Sequence, residues 1–302
     1  MFTKLTDTNK AAIFAVLVLC LAVGAALSIN ALGLSGIAMA GVWSITPVVA
    51  TLIMLLVVTR EGYSKEGWKS LGLHRLGLSV WWIAFGVSLL VSVVAAAIVW
   101  TTPLASFVVP EGGILMSVLN AAIKLLLQVC VVALPFMLSE EIGMRGYLQP
   151  RLMSLGRRGA LLVVGLLWAT WHMPLILLTP IFPVGNKLIS LPLFYGAVVA
   201  GSFFYGYLRI YTGSVWPSTI AHGVHNHAWG ILGVFTATSS PVIVNKYLGG
   251  DYGILIVVGG VIAAIWVGHR LKNGMDQAQS GADAEAPRVA PAHPSVPAAP
   301  TR

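Results

Sequence analysis

A pair of adjacent carboxylates in an apolar stretch is the first feature of this sequence that could do chemistry. Glu140 and Glu141 are followed by Arg145 in the segment Ser-Glu-Glu-Ile-Gly-Met-Arg. In a helix, Glu141 and Arg145 lie four residues apart and can form an ion pair, whereas Glu140 is rotated by about 100° and points elsewhere. One carboxylate held ionised beside another that is free to exchange a proton suits acid–base catalysis. A salt bridge at a helix end is the alternative interpretation.

Two further clusters carry imidazole side chains. His172 lies in the segment Trp-Ala-Thr-Trp-His-Met-Pro, and His222 and Asn226 lie in His-Gly-Val-His-Asn-His. His222 and Asn226 share one helical face, and both can donate hydrogen bonds. His225 and His227 lie on other faces of that helix, where we expect packing or an indirect supporting role. A single histidine in an apolar helix is also compatible with packing alone.

The helices that would position these residues belong to a chain whose composition is too apolar for a soluble protein. Of its 302 residues, 57% are hydrophobic and 9% are charged, whereas roughly a quarter of the residues of soluble domains are charged. A soluble domain of this chain length could not bury so much apolar surface in one core, so the bilayer must solvate much of it. We therefore expect an all-α, polytopic transmembrane helical bundle. Its basic residues are expected in loops, and no nucleic-acid partner is expected.

Eight apolar segments are long enough to cross about 30 Å of hydrocarbon. They cover residues 11–32, 39–58, 78–101, 113–138, 160–179, 190–210, 214–237 and 251–269. Cys20 and Cys130 fall inside these segments and are predicted to be small, buried hydrophobic side chains. The predicted bundle comprises residues 1–275, with a motif core at 138–226. A disordered, Ala/Pro-rich cytoplasmic tail is predicted for 276–302.

The basic residues predict the orientation of the bundle. If both termini are cytoplasmic, all of the 18 Lys and Arg residues except Lys124, Lys187 and Lys246 fall on the inner side. This distribution agrees with the positive-inside rule. The expected location is therefore a bacterial-type inner or plasma membrane, with the protein integral to it and both termini in the cytoplasm.

The depth of the three clusters indicates that they share one pocket. Counted from the cytoplasmic helix ends at about 1.5 Å per residue, Glu140, His222 and His172 lie about 13, 12 and 18 Å deep. Ionisable groups at such depths cost at least a few kcal/mol and usually mark function. Three polar clusters that converge on the cytoplasmic half of the bilayer predict a common polar site.

The three clusters, in this order and spacing, resemble the motifs of the CAAX protease and bacteriocin-processing family of intramembrane proteases. They are similar to those of the type II CAAX prenyl endopeptidases. The family pattern is Glu-Glu-x-x-x-Arg, then an aromatic residue with His four residues on, then His-x-x-x-Asn. In this sequence the pattern reads Glu140-Glu141…Arg145, Trp168…His172 and His222…Asn226. Trp168 stands where Phe is commoner in the family.

The resemblance implies an endopeptidase with four catalytic residues. Glu140, assisted by His172, would hold and deprotonate the attacking water. His222 and Asn226 would donate hydrogen bonds to the oxyanion that forms on the substrate carbonyl. The implied reaction is hydrolysis of a peptide bond in the cytoplasmic half of the bilayer.

The resemblance also implies an orienting pair, Glu141 and Arg145, and raises the question of a metal. The family is often labelled metalloprotease, so zinc held by Glu140, His172 and His222 is the alternative to a metal-free site. The sequence contains no His-Glu-x-x-His motif, which makes the evidence for zinc weak. A glutamate-activated water without a cofactor is therefore the preferred expectation.

The expected substrate is a membrane-associated peptide or protein, with or without a lipid group, that is cut near its membrane anchor. Two other functions stay open at this point. In a proton-coupled transporter, the same Glu and His residues would form a proton relay. In a noncatalytic immunity or scaffold protein of the membrane, the polar cluster would be structural.

Overall fold

Eight helices of 17 residues or more make up most of the computed structural model, which describes residues 5–180 and 185–276. These helices are Asp7–Ala31 (α1), Gly36–Val58 (α2), Leu78–Trp100 (α3), Gly113–Arg151 (α4), Met153–Leu178 (α5), Lys187–Thr212 (α6), Trp216–Leu232 (α7) and Ile254–Arg270 (α8). The predicted tail from residue 277 onward lies outside the described residues.

Six of these helices, α1 to α6, are long and apolar enough to cross a membrane. The other two, α7 and α8, have 17 residues each and extend about 26 Å at 1.5 Å per residue. The three His residues and the Asn of α7 lower its hydropathy. The prediction of an all-α, polytopic membrane bundle is confirmed, and of its eight predicted spans six correspond to helices of full spanning length and apolarity.

The long helix α4 extends well beyond its apolar segment. Its apolar segment was expected to end near residue 138 and the helix itself just before Pro150, and the helix continues to Arg151. The polar residues of the first cluster are buried inside the bundle, so the helix extends beyond its apolar part. It contains two wide, π-helical stretches, Gln128–Ala133 and Ile142–Leu148. Single π-helical turns inside α-helices occur frequently at functional sites.

The remaining described elements are short. Two further π-helical stretches lie at Met54–Val58 and Ile243–Leu248, and a five-residue helix covers Lys65–Lys69. The strands Ala105–Phe107 (β1) and Thr236–Thr238 (β2) pair antiparallel, with Ala105 opposite Thr238. This strand pair brings the α3–α4 and α7–α8 connections together at one end of the bundle.

A network of ion pairs lies at the other end. Lys10 Nζ is 2.7 Å from Glu61 Oε1, and Arg151 Nη2 is 2.5 Å from Glu61 Oε2. Burial raises the pKa of Glu61, but the hydrogen bond from Lys10 and the charge of Arg151 outweigh it and lower the pKa below its usual value. The network joins the start of α1, the α2–α3 loop and the end of α4, where basic residues concentrate. That this end faces the cytoplasm stays a prediction.

The first helix shows how the sequence pattern builds the core. Its buried residues recur every three or four positions, which places them on one stripe that packs against α5: Phe14, Val18, Ala22, Ala25, Ala26 and Ile29. Cys20 and Cys130 are exposed on the outside of the bundle, so the prediction that they are buried was wrong. Both lie in apolar segments, but hydropathy does not tell which face of a lipid-exposed helix points inward.

The tight turn between α6 and α7 positions the third cluster. Gly213 ends α6 with a φ of 64°, a left-handed conformation that glycine adopts without steric cost. Ser214 Oγ donates to the carbonyl of Arg75 at 2.5 Å, and Trp216 Nε1 donates to the carbonyl of Leu73 at 3.0 Å. These bonds attach the start of α7 to the α2–α3 loop and thereby set the position of His222.

Candidate active site

The two glutamates of the first cluster are buried where three helices meet. Glu140 is 3% exposed and Glu141 is fully buried. Both end the regular α-helical stretch Leu134–Glu141 of α4, immediately before its wide π-helical stretch. The carboxylates therefore lie in the bundle interior, where charged groups persist only when other groups hydrogen-bond or pair with them.

Glu140 is held by neutral hydrogen-bond donors from two other helices. Ser44 Oγ of α2 donates to Oε1 at 3.3 Å, and Trp168 Nε1 of α5 donates to Oε2 at 3.1 Å. Within the described ranges, no basic side chain forms an ion pair with this carboxylate. Glu140 is thus positioned without being neutralised, as a proton acceptor must be.

Glu141 has the opposite surroundings. Arg145 Nη1 donates to Glu141 Oε1 at 3.0 Å, so the contact expected from the four-residue spacing is present. His222 Nδ1 lies 3.0 Å from the same oxygen. The guanidinium carbon of Arg145 is 4.1 Å from the centroid of the Trp168 ring and 5.3 Å from that of Tyr205, which adds cation–π attraction. The orienting role of the pair stays a prediction.

The imidazole of His222 is enclosed by these groups. Its ring meets the Trp168 ring edge-on at 4.9 Å and stacks on Tyr205 at 5.7 Å. An ionised Glu141 can only accept hydrogen bonds, so His222 Nδ1 carries the proton that faces it. The second ring nitrogen, Nε2, then presents a lone pair in the neutral ring and a donor only in the imidazolium form.

His172 has a different partner but the same tautomer. Its Nδ1 is 2.9 Å from the carbonyl oxygen of Trp168, which can only accept, so Nδ1 carries the proton and Nε2 of the neutral ring is an acceptor. The rings of Trp43, Trp171 and Phe194 surround it. His172 is therefore held in the tautomer that can accept a proton from water.

Trp168 connects the whole cluster. Its indole N–H binds Glu140, its carbonyl holds His172, and its ring contacts both Arg145 and His222. The sequence marked Trp168 only as the aromatic residue of a motif. The indole N–H was the available signal, since phenylalanine, which is commoner there in the resembling family, has no donor for a carboxylate.

Asn226 lies at the edge of this arrangement rather than inside it. Its Nδ2 donates to Met137 Sδ at 3.1 Å, and the residue is exposed. Met137 is buried and precedes Glu141 by one turn of α4, so the amide lies between α4 and α7 beside the cluster. The structure brings His222 into contact with Glu141, whereas Asn226 forms its bond one turn away.

The same contacts bear on the zinc alternative. His172 and His222 each use Nδ1 to bind a protein oxygen, and both oxygens of Glu140 accept from protein donors. Within the described ranges, no three His, Cys, Asp or Glu side chains are grouped as metal ligands would be. Bonds from Nδ1 to a carbonyl or a carboxylate are also those that metal-bound histidines make, so the preference for a metal-free site stays a prediction.

Residues 122–228, which contain all three clusters, match the family model described as Type II CAAX prenyl endopeptidase Rce1-like. This region is similar to the CAAX prenyl endopeptidases. The resemblance carried by the three motifs is confirmed over this range, and the match supports a membrane-embedded protease that acts on a membrane-associated protein substrate. No curated protein matches the chain. The family match gives no role to individual residues, so the catalytic assignments stay predictions.

Proposed function

We propose that this protein is an intramembrane endopeptidase that hydrolyses a peptide bond of a membrane-associated substrate with a glutamate-activated water. The main support for the proposal is that two adjacent carboxylates have different hydrogen-bond and ion-pair partners. Glu141 is shared by Arg145 and His222, whereas the donors to Glu140 among residues 5–180 and 185–276 are neutral. Adjacent carboxyl groups with different surroundings can take different roles in acid–base catalysis.

Glu140 and His172 are the groups that activate water in this proposal. Each is held by Trp168, which leaves His172 Nε2 and the remaining lone pairs of Glu140 to bind the water. Glu140 accepts one proton as the water oxygen bonds to the substrate carbonyl carbon. The carbon–nitrogen bond then breaks as the same proton is passed to the leaving amine.

His222 and Asn226 stabilise the oxyanion in this proposal. Asn226 can donate from its amide nitrogen at the exposed edge of the site. His222 can donate from Nε2 only as an imidazolium, since its Nδ1 already faces Glu141. The carboxylate of Glu141 then neutralises the charge of this imidazolium, so the orienting pair also holds His222 in place.

The substrate in this proposal is a membrane-associated peptide or protein, with or without a lipid group, cut in the cytoplasmic half of the bilayer. Along α4, Glu140 lies closer to the Arg151 end, where the basic residues gather, than to the Gly113 end. The positive-inside rule favours the cytoplasm for the basic end. The proposed steps use no metal, a preference that rests on the lack of a His-Glu-x-x-His motif in the sequence.

The proposal is tested by incubating purified protein in liposomes with a library of membrane peptides and reading the product masses. Wild type is expected to cleave and Glu140→Gln is not, because Gln keeps the shape of the side chain but cannot accept the proton. Glu66→Gln is the matched control, since Glu66 forms an exposed pair with Lys69. It should cleave like wild type.

Cleavage that persists in Glu140→Gln would refute the role of Glu140. If neither wild type nor Glu66→Gln cleaves any peptide, while proton-coupled solute flux appears in the same liposomes, the protein is a carrier. If neither activity appears and Glu140→Gln retains the cellular function, the polar cluster is structural.

A further inference from the structure

A long groove runs along the outside of the bundle, separate from the residues of the candidate active site. It has a volume of about 1080 Å³ and is lined by α5, α6 and α8, together with residues that follow α8. Gly196, Val199, Ala200, Phe203 and Tyr207 form its floor on α6. Their spacing of three or four residues puts them on one helical face. Small side chains at the centre of that face make the groove deep between its two walls.

The walls of the groove are apolar. Leu162 and Leu166 line it from α5, and Val257, Val261 and Ile265 line it from α8. From Val257 to Lys272 the wall on the α8 side extends about 22 Å at 1.5 Å per residue. One leaflet of a bilayer contributes about 15 Å of hydrocarbon, so an acyl chain and part of a headgroup fit along this wall.

One end of the groove is strongly basic. Arg157, Arg158 and Lys272 line it there, and Asp276 pairs with Arg157. Arg158 and Lys272 are exposed and form no hydrogen bond or ion pair with any side chain of residues 5–180 and 185–276. Two cations thus face the mouth of an apolar groove without a protein partner in the described part of the chain.

We propose that this groove is a binding site for a phospholipid with an anionic headgroup. The headgroup phosphate lies against Arg158 and Lys272, and the acyl chains lie along α6 between α5 and α8. Basic pockets between transmembrane helices bind anionic headgroups, with each Lys or Arg adding attraction. A neutral hydrocarbon ligand would use the walls of the groove but would gain nothing from the cations.

Native mass spectrometry of the purified full-length protein tests this proposal. The protein is released from detergent after titration with phosphatidylglycerol or with phosphatidylcholine, and bound lipids are counted. Wild type should retain more phosphatidylglycerol than phosphatidylcholine. The double variant Arg158→Gln/Lys272→Gln should bind it about 30-fold more weakly. Lys65→Gln/Arg270→Gln, which removes two exposed charges outside the groove, should bind like wild type.

A second pair of variants tests the apolar part of the site. Val261→Trp adds a large side chain to the wall, whereas Ile262→Trp adds the same side chain at the next, more exposed position outside the groove. Only Val261→Trp should lose phosphatidylglycerol, with both variants melting like wild type. Equal retention of the two lipids by wild type, or unchanged binding in both Arg158→Gln/Lys272→Gln and Val261→Trp, would overturn the proposal.

Discussion

Replacing Trp168 by Phe removes one hydrogen-bond donor from Glu140 and keeps an aromatic ring in contact with the cluster. The indole N–H donates to Glu140 Oε2 at 3.1 Å, and Ser44 is the other donor. A hydrogen bond to a charged group contributes about 1.5–3 kcal/mol. The bond already exists before the reaction, so only the part of this contribution that orients Glu140 in the transition state changes kcat. If all of it does, kcat should fall by about 10- to 150-fold.

The assay for Trp168→Phe is steady-state cleavage of a peptide that the library identifies. KM should stay within about twofold of wild type, because Trp168 is a buried positioning residue that acts through Glu140. Trp171→Phe is the matched control. It removes a buried indole N–H of the same helix, whose acceptor is the hydroxyl of Thr46 at 2.9 Å.

Two results would refute the reasoning about Trp168. If Trp168→Phe and Trp171→Phe lower kcat equally while melting alike, the bond to Glu140 has no special part in catalysis. If Trp168→Phe raises KM and leaves kcat unchanged, the residue contacts substrate instead.

The remaining predictions concern stability and metal dependence. Arg145→Met should lower the free energy of unfolding by about 3–5 kcal/mol, because it leaves Glu141 buried without its cation. The control Lys69→Met breaks an exposed pair and should lower it by at most about 1 kcal/mol. Equal melting temperatures of the two variants would contradict the burial argument. Because the pKa of Glu61 is lowered in the folded protein, its network stabilises the fold above the usual value of 4.5 and is lost as the pH falls through the lowered pKa. Melting of wild type should therefore decline below pH 4.5 more steeply than that of Glu61→Gln, and parallel pH curves would contradict this. Chelators should leave cleavage by the purified protein unchanged, whereas a loss that zinc restores would show that the reaction needs a metal.

Local spacing was enough to predict part of the site. The contact of Glu141 with Arg145 follows from their separation by four residues, because such residues are neighbours on any helical surface. The divergence of Glu140 from this pair follows from the same geometry. The contact and the different direction of Glu140 depend only on the geometry of one helix, so both can be predicted from residue spacing.

Contacts between helices could not be predicted in the same way. His222 binds Glu141, and Trp168 joins Glu140 to His172, because of how α4, α5 and α7 pack together. The periodicity of each helix gives its polar face but not the partner of each atom on that face. Asn226, which shares a face with His222 in sequence, consequently forms its bond to Met137 at the exposed edge.

The fold was predicted to the level of apolar segments, and its differences from the structure have a common cause. Hydropathy marks a segment as able to lie in lipid, but it does not detect that polar residues can be buried together. Helix α4 therefore runs beyond its apolar segment to Arg151, and α7 falls short of full spanning apolarity although it is largely buried. Hydropathy likewise does not tell which face of a helix points inward, which explains the two exposed cysteines.

The most direct test of the central claim is cleavage in water enriched in heavy oxygen, with the mass of the new carboxyl terminus measured for wild type and Glu140→Gln. Wild type should incorporate one heavy oxygen into each new terminus, because the water that Glu140 deprotonates becomes part of the product. Glu140→Gln should yield no product. A wild-type product without heavy oxygen, or equal labelled product from the variant, would contradict the account.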